Sequence, residues 1–180
     1  SKAGVSVELI NRNKAHVEAL NVNGAKVTGT MDFVQKVTAY TPDCMSGEYD
    51  IIFLMTKQQN NKEVVQMLKN FLAPDGVLVT FQNGLPEMQI ADILGEDKVL
   101  GCTVAWGATM QSPGVCELTS EPDALSFSLG SISSNRSRHF AKVKELLEMM
   151  GTVEVEENFI GTRWSKLLIN AAFSGMSAVL

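Results

Sequence analysis

Lys166 and Asn170, four residues apart, carry the clearest chemical signal in this sequence. Projected at about 100° per residue, the segment 159–180 puts Thr162, Arg163, Lys166, Asn170, Ser174 and Ser177 in one stripe. Most of its other positions are apolar, among them Trp164, Leu168, Phe173 and Leu180. A helix face turned to water is normally filled with Glu, Lys and Gln; this stripe has no acid, and its Asn and Ser are weak helix formers. Two readings stay open. The segment is an amphipathic surface helix with its polar side in water, or it aims a lysine and an amide together at a crevice. There, a cation and an amide on one helix face would bind a carboxylate or a polarised carbonyl.

A helix of the second kind needs a scaffold to aim at. Residues 5–10 read as a strand, and Asn13 can cap a short helix running to Leu20. Residues 49–55 form a nearly continuous apolar run, as in a strand covered on both faces. Helical spacing follows over 61–72, then a turn at Pro74-Asp-Gly76 and a second buried strand over 76–82. A helix to Leu94 and a strand from Val99 towards Ala108 continue the alternation. That order predicts an α/β fold with a parallel, doubly wound sheet and right-handed crossovers. The pattern then changes: Val115–Leu118 and 124–129 read as antiparallel strands, 137–150 as a helix, 153–155 as a short strand and 159–180 as a long helix.

In such a sheet, ligands bind beyond the carboxyl ends of the strands. Lys57 follows one predicted strand and Asn83-Gly84 the next. Taken singly they read as a solvated loop lysine and an ordinary Asn-Gly turn; lying on one edge of one sheet, they read equally well as a site. At the tip of the second strand of a dinucleotide fold an acid favours NAD, whereas an arginine accommodates the extra phosphate of NADP. Here the strand runs out as Leu9-Ile10-Asn11-Arg12-Asn13, with Glu8 inside it. Arg12 alone is as readily a solvated strand-end residue. The glycine fingerprint belongs about 20 residues earlier, ahead of residue 1, and none of the 14 glycines forms a G-x-G. The expected fold is therefore a Rossmann-like doubly wound sheet lacking its first strand and glycine-rich turn, with 158–180 as the first helix of an all-α C-terminal domain.

The formal net charge of −5 argues against a broad nucleic-acid surface while leaving room for one local cationic pocket. No apolar run approaches the roughly 18 residues of a membrane span, and no signal peptide is expected. Cys44, Cys102 and Cys116 are odd in number and lack metal-ligand spacing, so reduced thiols in a cytoplasmic protein without a metal site are the simplest expectation.

Four stretches together resemble the ketopantoate reductase (2-dehydropantoate 2-reductase) family. They are Leu54-Met-Thr-Lys57; Thr80-Phe-Gln-Asn-Gly84; Val99 to Ala108 with Pro113-Gly-Val115; and Trp164-Ser-Lys-Leu-Leu-Ile-Asn170. Their order and spacing agree over essentially the whole chain, and W-x-K-x-x-x-N downstream of Q-N-G and G-A-x(4)-P-G is the specific part. The resemblance implies NADPH-dependent reduction of 2-dehydropantoate to pantoate, a step of pantothenate and coenzyme A biosynthesis. It implies that Arg12 holds the 2′-phosphate of NADP(H), and that Lys57, Asn83 and the backbone of Ala108 surround the nicotinamide half. Lys166 becomes the proton donor and a substrate ligand, and Asn170 a second substrate ligand. Ser174 stands on the substrate side, where the family usually has another asparagine. Leu85-Pro86 replaces the more usual x-Gly after Asn83-Gly84.

On this reading, residues 1–157 form a partial NADP-binding domain and 158–180 open the substrate domain. Without the phosphate-binding turn, residues 1–180 alone are expected to show negligible reductase activity. The partner is a small 2-oxo acid, with no nucleic acid and no membrane; a homodimer is compatible with the sequence but not required by it. Three alternatives remain: a reductase of another 2-oxo acid or an opine-type reductase, which Ser174 leaves open; a non-catalytic NADP-binding module in which Lys166 is merely solvated; and a structural fragment with no activity of its own.

Overall fold

The computed structural model describes residues 4–134 and 137–177, with side chains of the last helix described as far as residue 172. In chain order the elements begin β1 (Glu8–Ile10), α1 (Lys14–Asn23), β2 (Ala25–Gly29), β3 (Phe33–Gln35), β4 (Thr38–Tyr40), β5 (Tyr49–Leu54), α2 (Asn61–Leu68), β6 (Leu72–Thr80) and α3 (Glu87–Leu94). They continue with β7 (Val99–Val104), β8 (Ala108–Ser112), β9 (Val115–Leu118), β10 (Ser126–Ser131), α4 (Phe140–Glu148), β11 (Thr152–Glu156) and α5 (Phe159–Ser177). They fall into two compact units, one of Ser1–Gly47 with Ala105–Leu125, the other of Glu48–Val104 with Ser126–Leu180.

In the first unit, β1 and β4 pair in parallel. Asn13 caps α1 as expected, its side chain accepting from the backbone N–H of His16 at 3.2 Å. The Asn21 amide on α1 donates to the carbonyl of Ala39 at 2.8 Å and accepts from its N–H at 2.9 Å, tying the helix to β4 as a ladder partner would. A separate four-stranded sheet has the order β3-β2-β9-β8, with β9 parallel to β2 and antiparallel to β8.

The second unit holds a five-stranded sheet of order β11-β10-β7-β6-β5. Strands β5, β6 and β7 are parallel, β10 runs antiparallel to β7, and β11 is parallel to β10. Val77, Leu78, Val79 and Thr80 are consecutive and fully buried, so β6 is covered on both faces.

Three local expectations are corrected. The helix over 61–72 stops at Leu68, and Pro74-Asp-Gly76 lies within β6 instead of forming a turn. The β5–β6 pairing explains this: Tyr49 faces Leu72 but Ile51 faces Val77, so the extra residues bulge out of the ladder, where proline and glycine are tolerated. Nor do residues 99–108 make one strand, because β7 ends at Val104 and Ala108 opens β8 in a different sheet.

Helix α5 meets its sheet at a pair of glycines. Gly101 of β7 and Gly130 of β10 are register partners. A Cβ on Gly101 would lie 1.9 Å from Cε1 of Phe159, and one on Gly130 would lie 2.5 Å from its Cβ. The first residue of α5 thus occupies the space of two missing side chains, and its ring is 1% exposed. Among the described residues, no helix is long and apolar enough to cross a membrane.

Candidate active site

Lys57 and Asn83 stand exposed just past the carboxyl ends of the neighbouring parallel strands β5 and β6. Their backbones are set by one buried side chain, Gln82. Its amide exchanges two hydrogen bonds with the buried Asn61 at the start of α2, donating at 2.7 Å and accepting at 3.0 Å. The same Gln82 nitrogen donates to the carbonyl of Thr56 at 2.7 Å, immediately before Lys57. The hydroxyl of Thr80 donates to the Gln82 carbonyl oxygen at 3.2 Å. The Asn83 carbonyl accepts from the side chain of Gln58, and Gly84 follows with φ +84°, a left-handed turn that favours glycine. A buried glutamine at a strand end therefore fixes both polar residues beside it.

Lys166 arrives from α5. Its ammonium is half-buried and donates to the carbonyl of Val104, the last residue of β7, at 2.5 Å. Lys57, Asn83 and Lys166 are thus brought to the same edge of one sheet, at the ends of β5, β6 and β7. Burial, and then the nearby Arg163 guanidinium, pull the Lys166 ammonium below the usual lysine range, with Cys102 acting the other way. Burial pushes the Cys102 thiol up to about 12 against the charges of Arg163 and Lys166, so it stays neutral near pH 7.

One turn earlier on α5, Arg163 is 1% exposed, although it belongs to the stripe that sequence alone leaves readable as solvated. Its Nε and one terminal nitrogen both donate to Oε1 of Glu87, at 2.8 and 2.5 Å. The remaining donors reach the carbonyls of Gln82 at 2.6 Å and Thr80 at 3.2 Å. The guanidinium also lies 5.1 Å from the Phe159 ring centroid. Glu87 is fully buried; burial moves its carboxyl upward against the pull of Arg163, and its Oε2 has no partner among the described residues. The helix turns its polar stripe inward and carries Trp164, Leu168 and Ile169 outward at 51, 67 and 57% exposure.

Asn170, one further turn along α5, is half-buried, and the side chain of Ser174 lies outside the described residues. Arg12 and Ala108 belong to the other unit. Arg12 is exposed just past β1, where the Asn11 N–H donates to the carbonyl of Tyr40 at 3.0 Å. Ala108 opens β8 after Gly107, whose N–H donates to the Ser120 hydroxyl at 2.9 Å. Sequence reasoning assigned no role to Gln82, Asn61, Glu87 or Arg163.

The donor set at the strand ends (two ammonium groups and a carboxamide) suits an anionic or carbonyl-bearing ligand lying beyond the sheet. The exposed guanidinium past β1 likewise suits a phosphate.

A family model described as Ketopantoate reductase PanE/ApbA matches residues 1–131. A curated 2-dehydropantoate 2-reductase of Pyrococcus horikoshii is 29% identical to the chain over 181 residues, taking in 100% of this chain and 58% of that protein. Among solved structures, the 2-dehydropantoate 2-reductase of Geobacter metallireducens matches with a TM-score of 0.83 at 22% identity, over 97% of this chain and 58% of that one. A D-mandelate dehydrogenase bound to NADH and anilino(oxo)acetate matches at 0.80 and 18% identity, over 94% of this chain and 55% of that one. Both structural likenesses speak for a Rossmann-like α/β fold. The chain spans 58% of the length of the curated relative.

Proposed function

We propose, from the premise that this chain belongs to the ketopantoate reductase PanE/ApbA family, that the protein reduces the 2-keto group of 2-dehydropantoate to pantoate with NADPH. One observation carries the reading: a half-buried lysine ammonium sits at the carboxyl end of β7, on the sheet edge that also bears Lys57 and Asn83.

When bound, the reduced nicotinamide supplies the hydride. Lys57, Asn83 and the backbone of Ala108 hold its nicotinamide half, and Arg12 holds the 2′-phosphate. Negative charge develops on the former keto oxygen as the carbon is reduced. Lys166 stabilises that charge as an ammonium and then gives up its proton to the oxygen. Its bond to the Val104 carbonyl keeps the ammonium oriented before substrate arrives. Asn170, on the same helix face, orients the substrate without adding charge, and Ser174 is a further substrate ligand on this reading. In this scheme residues 1–157 bind the nucleotide, and the helix after them brings the proton donor.

The test uses Lys166→Ala in the protein as its gene encodes it. Turnover of 2-dehydropantoate falls by about two or more orders of magnitude while NADPH affinity stays near normal, because a proton donor acts on the transition state. Unchanged turnover removes Lys166 from the role. A second reading, reduction of a different 2-oxo acid, is favoured by Ser174 in the place of the family's usual asparagine. A panel of 2-oxo acids with NADPH separates the two by which one is turned over fastest.

A further inference from the structure

We infer that Arg163 is a positioning residue for this reaction: its guanidinium, buried between α5 and the turn from β6 to α3, sets where Asn83 stands relative to Lys166. The inference rests on the functional reading above.

The geometry is specific. Arg163 donates to Glu87, the first residue of α3, and to the carbonyls of Thr80 and Gln82, so one side chain grips both ends of the β6–α3 turn. Gln82 directly precedes Asn83. Lys166 lies three residues beyond Arg163 on the same helix face, one turn along. Displacing the guanidinium therefore moves Asn83 and Lys166 with respect to each other. The ring of Phe159 packs against the guanidinium. A planar fork with five donors can serve three acceptors at fixed angles; a lysine ammonium in its place keeps the charge and loses that geometry. A buried pair whose only task was stability could be exchanged for apolar packing. Carbonyl acceptors on the residue beside Asn83 point to placement instead.

The experiment compares Arg163→Lys and Arg163→Gln in the protein as its gene encodes it. Per folded molecule, kcat for 2-dehydropantoate falls about tenfold or more in the lysine variant and further in the glutamine variant, while KM for NADPH changes by less than about fivefold. Wild-type kcat in either folded variant overturns the inference. A second arm reads the site without turnover. Lys166 is dimethylated with ¹³C and its titration followed by NMR, Lys166→Ala assigning the signal. The charged and titratable groups acting on it are Arg163 from its own helix and Cys102 from β7. Removing the guanidinium in Arg163→Gln raises the Lys166 midpoint, and Arg163→Lys returns it towards the unsubstituted value. A midpoint that Arg163→Gln leaves unmoved overturns the inference. So does failure of both variants to fold, since Arg163 would then be a folding residue. If the unsubstituted protein reduces no 2-oxo acid, the functional reading fails, while the titration still decides whether Arg163 acts on Lys166.

Discussion

Replacing Gly101 by alanine tests directly how α5 is held. The new methyl would lie 1.9 Å from Cε1 and 2.5 Å from Cζ of Phe159, and 2.7 Å from Oε1 of Glu87. Ordinary contact begins at 3.4 Å, so the ring has to retreat by about 1.5 Å. Close-packed interiors do not yield that much locally, and the ring takes its helix with it. Overpacking of this kind costs about 1–3 kcal/mol, and a ring buried on all sides puts Gly101→Ala at the upper end. Phe159→Ala alone empties a buried aromatic site and costs about 3–5 kcal/mol. The two changes compete for one space, so the double variant is more stable than the sum of the singles implies, by about 1–3 kcal/mol. Compensation is incomplete because the Glu87 contact survives. Urea denaturation followed by tryptophan fluorescence measures all four corners of the cycle, with m-values checked for constancy. A Gly101→Ala protein within about 0.5 kcal/mol of the original, or strictly additive losses, refutes the packing argument.

Arg12→Ala weakens NADPH about tenfold or more and leaves NADH within about threefold, since only NADPH offers the extra phosphate for a charge-assisted contact; equal losses in fluorescence titrations count against that contact. The alkaline limb of kcat against pH falls below the ordinary lysine value of about 10.4. The sign follows from the proposed role: an ammonium that donates is present below its pKa, and burial with Arg163 has lowered that pKa, so activity is lost earlier as pH rises. A limb at or above the ordinary value contradicts this. In thiol-reagent kinetics at pH 8, the exposed Cys44 reacts first, while the buried Cys102, its pKa pushed up to about 12, reacts only on unfolding. Labelling of Cys102 at the rate of Cys44 in the folded protein defeats the assignment.

Long, periodic segments were legible in the sequence. The apolar runs of β5 and β6 and the helices α2 to α5 lie where alternation put them, apart from the early end of α2 and early start of β6, because burial on both faces writes itself as continuous hydrophobicity. Strands β2, β3 and β4 are three to five residues long, too short to show a period, and residues 25–40 carried no expectation. At Pro74-Asp-Gly76, turn chemistry was overridden by a bulge whose existence depends on the partner strand. The stripe on α5 was legible as polar, but its direction was not. Whether Arg163 meets water or the carbonyls of Thr80 and Gln82 is decided by the surface it packs on, which no single helix encodes.

The seat of Phe159 on Gly101 and Gly130 makes α5 a lever with its fulcrum at one end. At about 1.5 Å rise per residue, Lys166 lies roughly 10 Å and Asn170 roughly 16 Å out along the axis. A tilt of about 5° at the fulcrum swings the ammonium by about 0.9 Å and the amide by about 1.4 Å, by the same geometry. Small errors in the glycine seat thus grow with distance, and under the proposed roles of Lys166 and Asn170, discrimination between substrates at the outer amide degrades before proton delivery does.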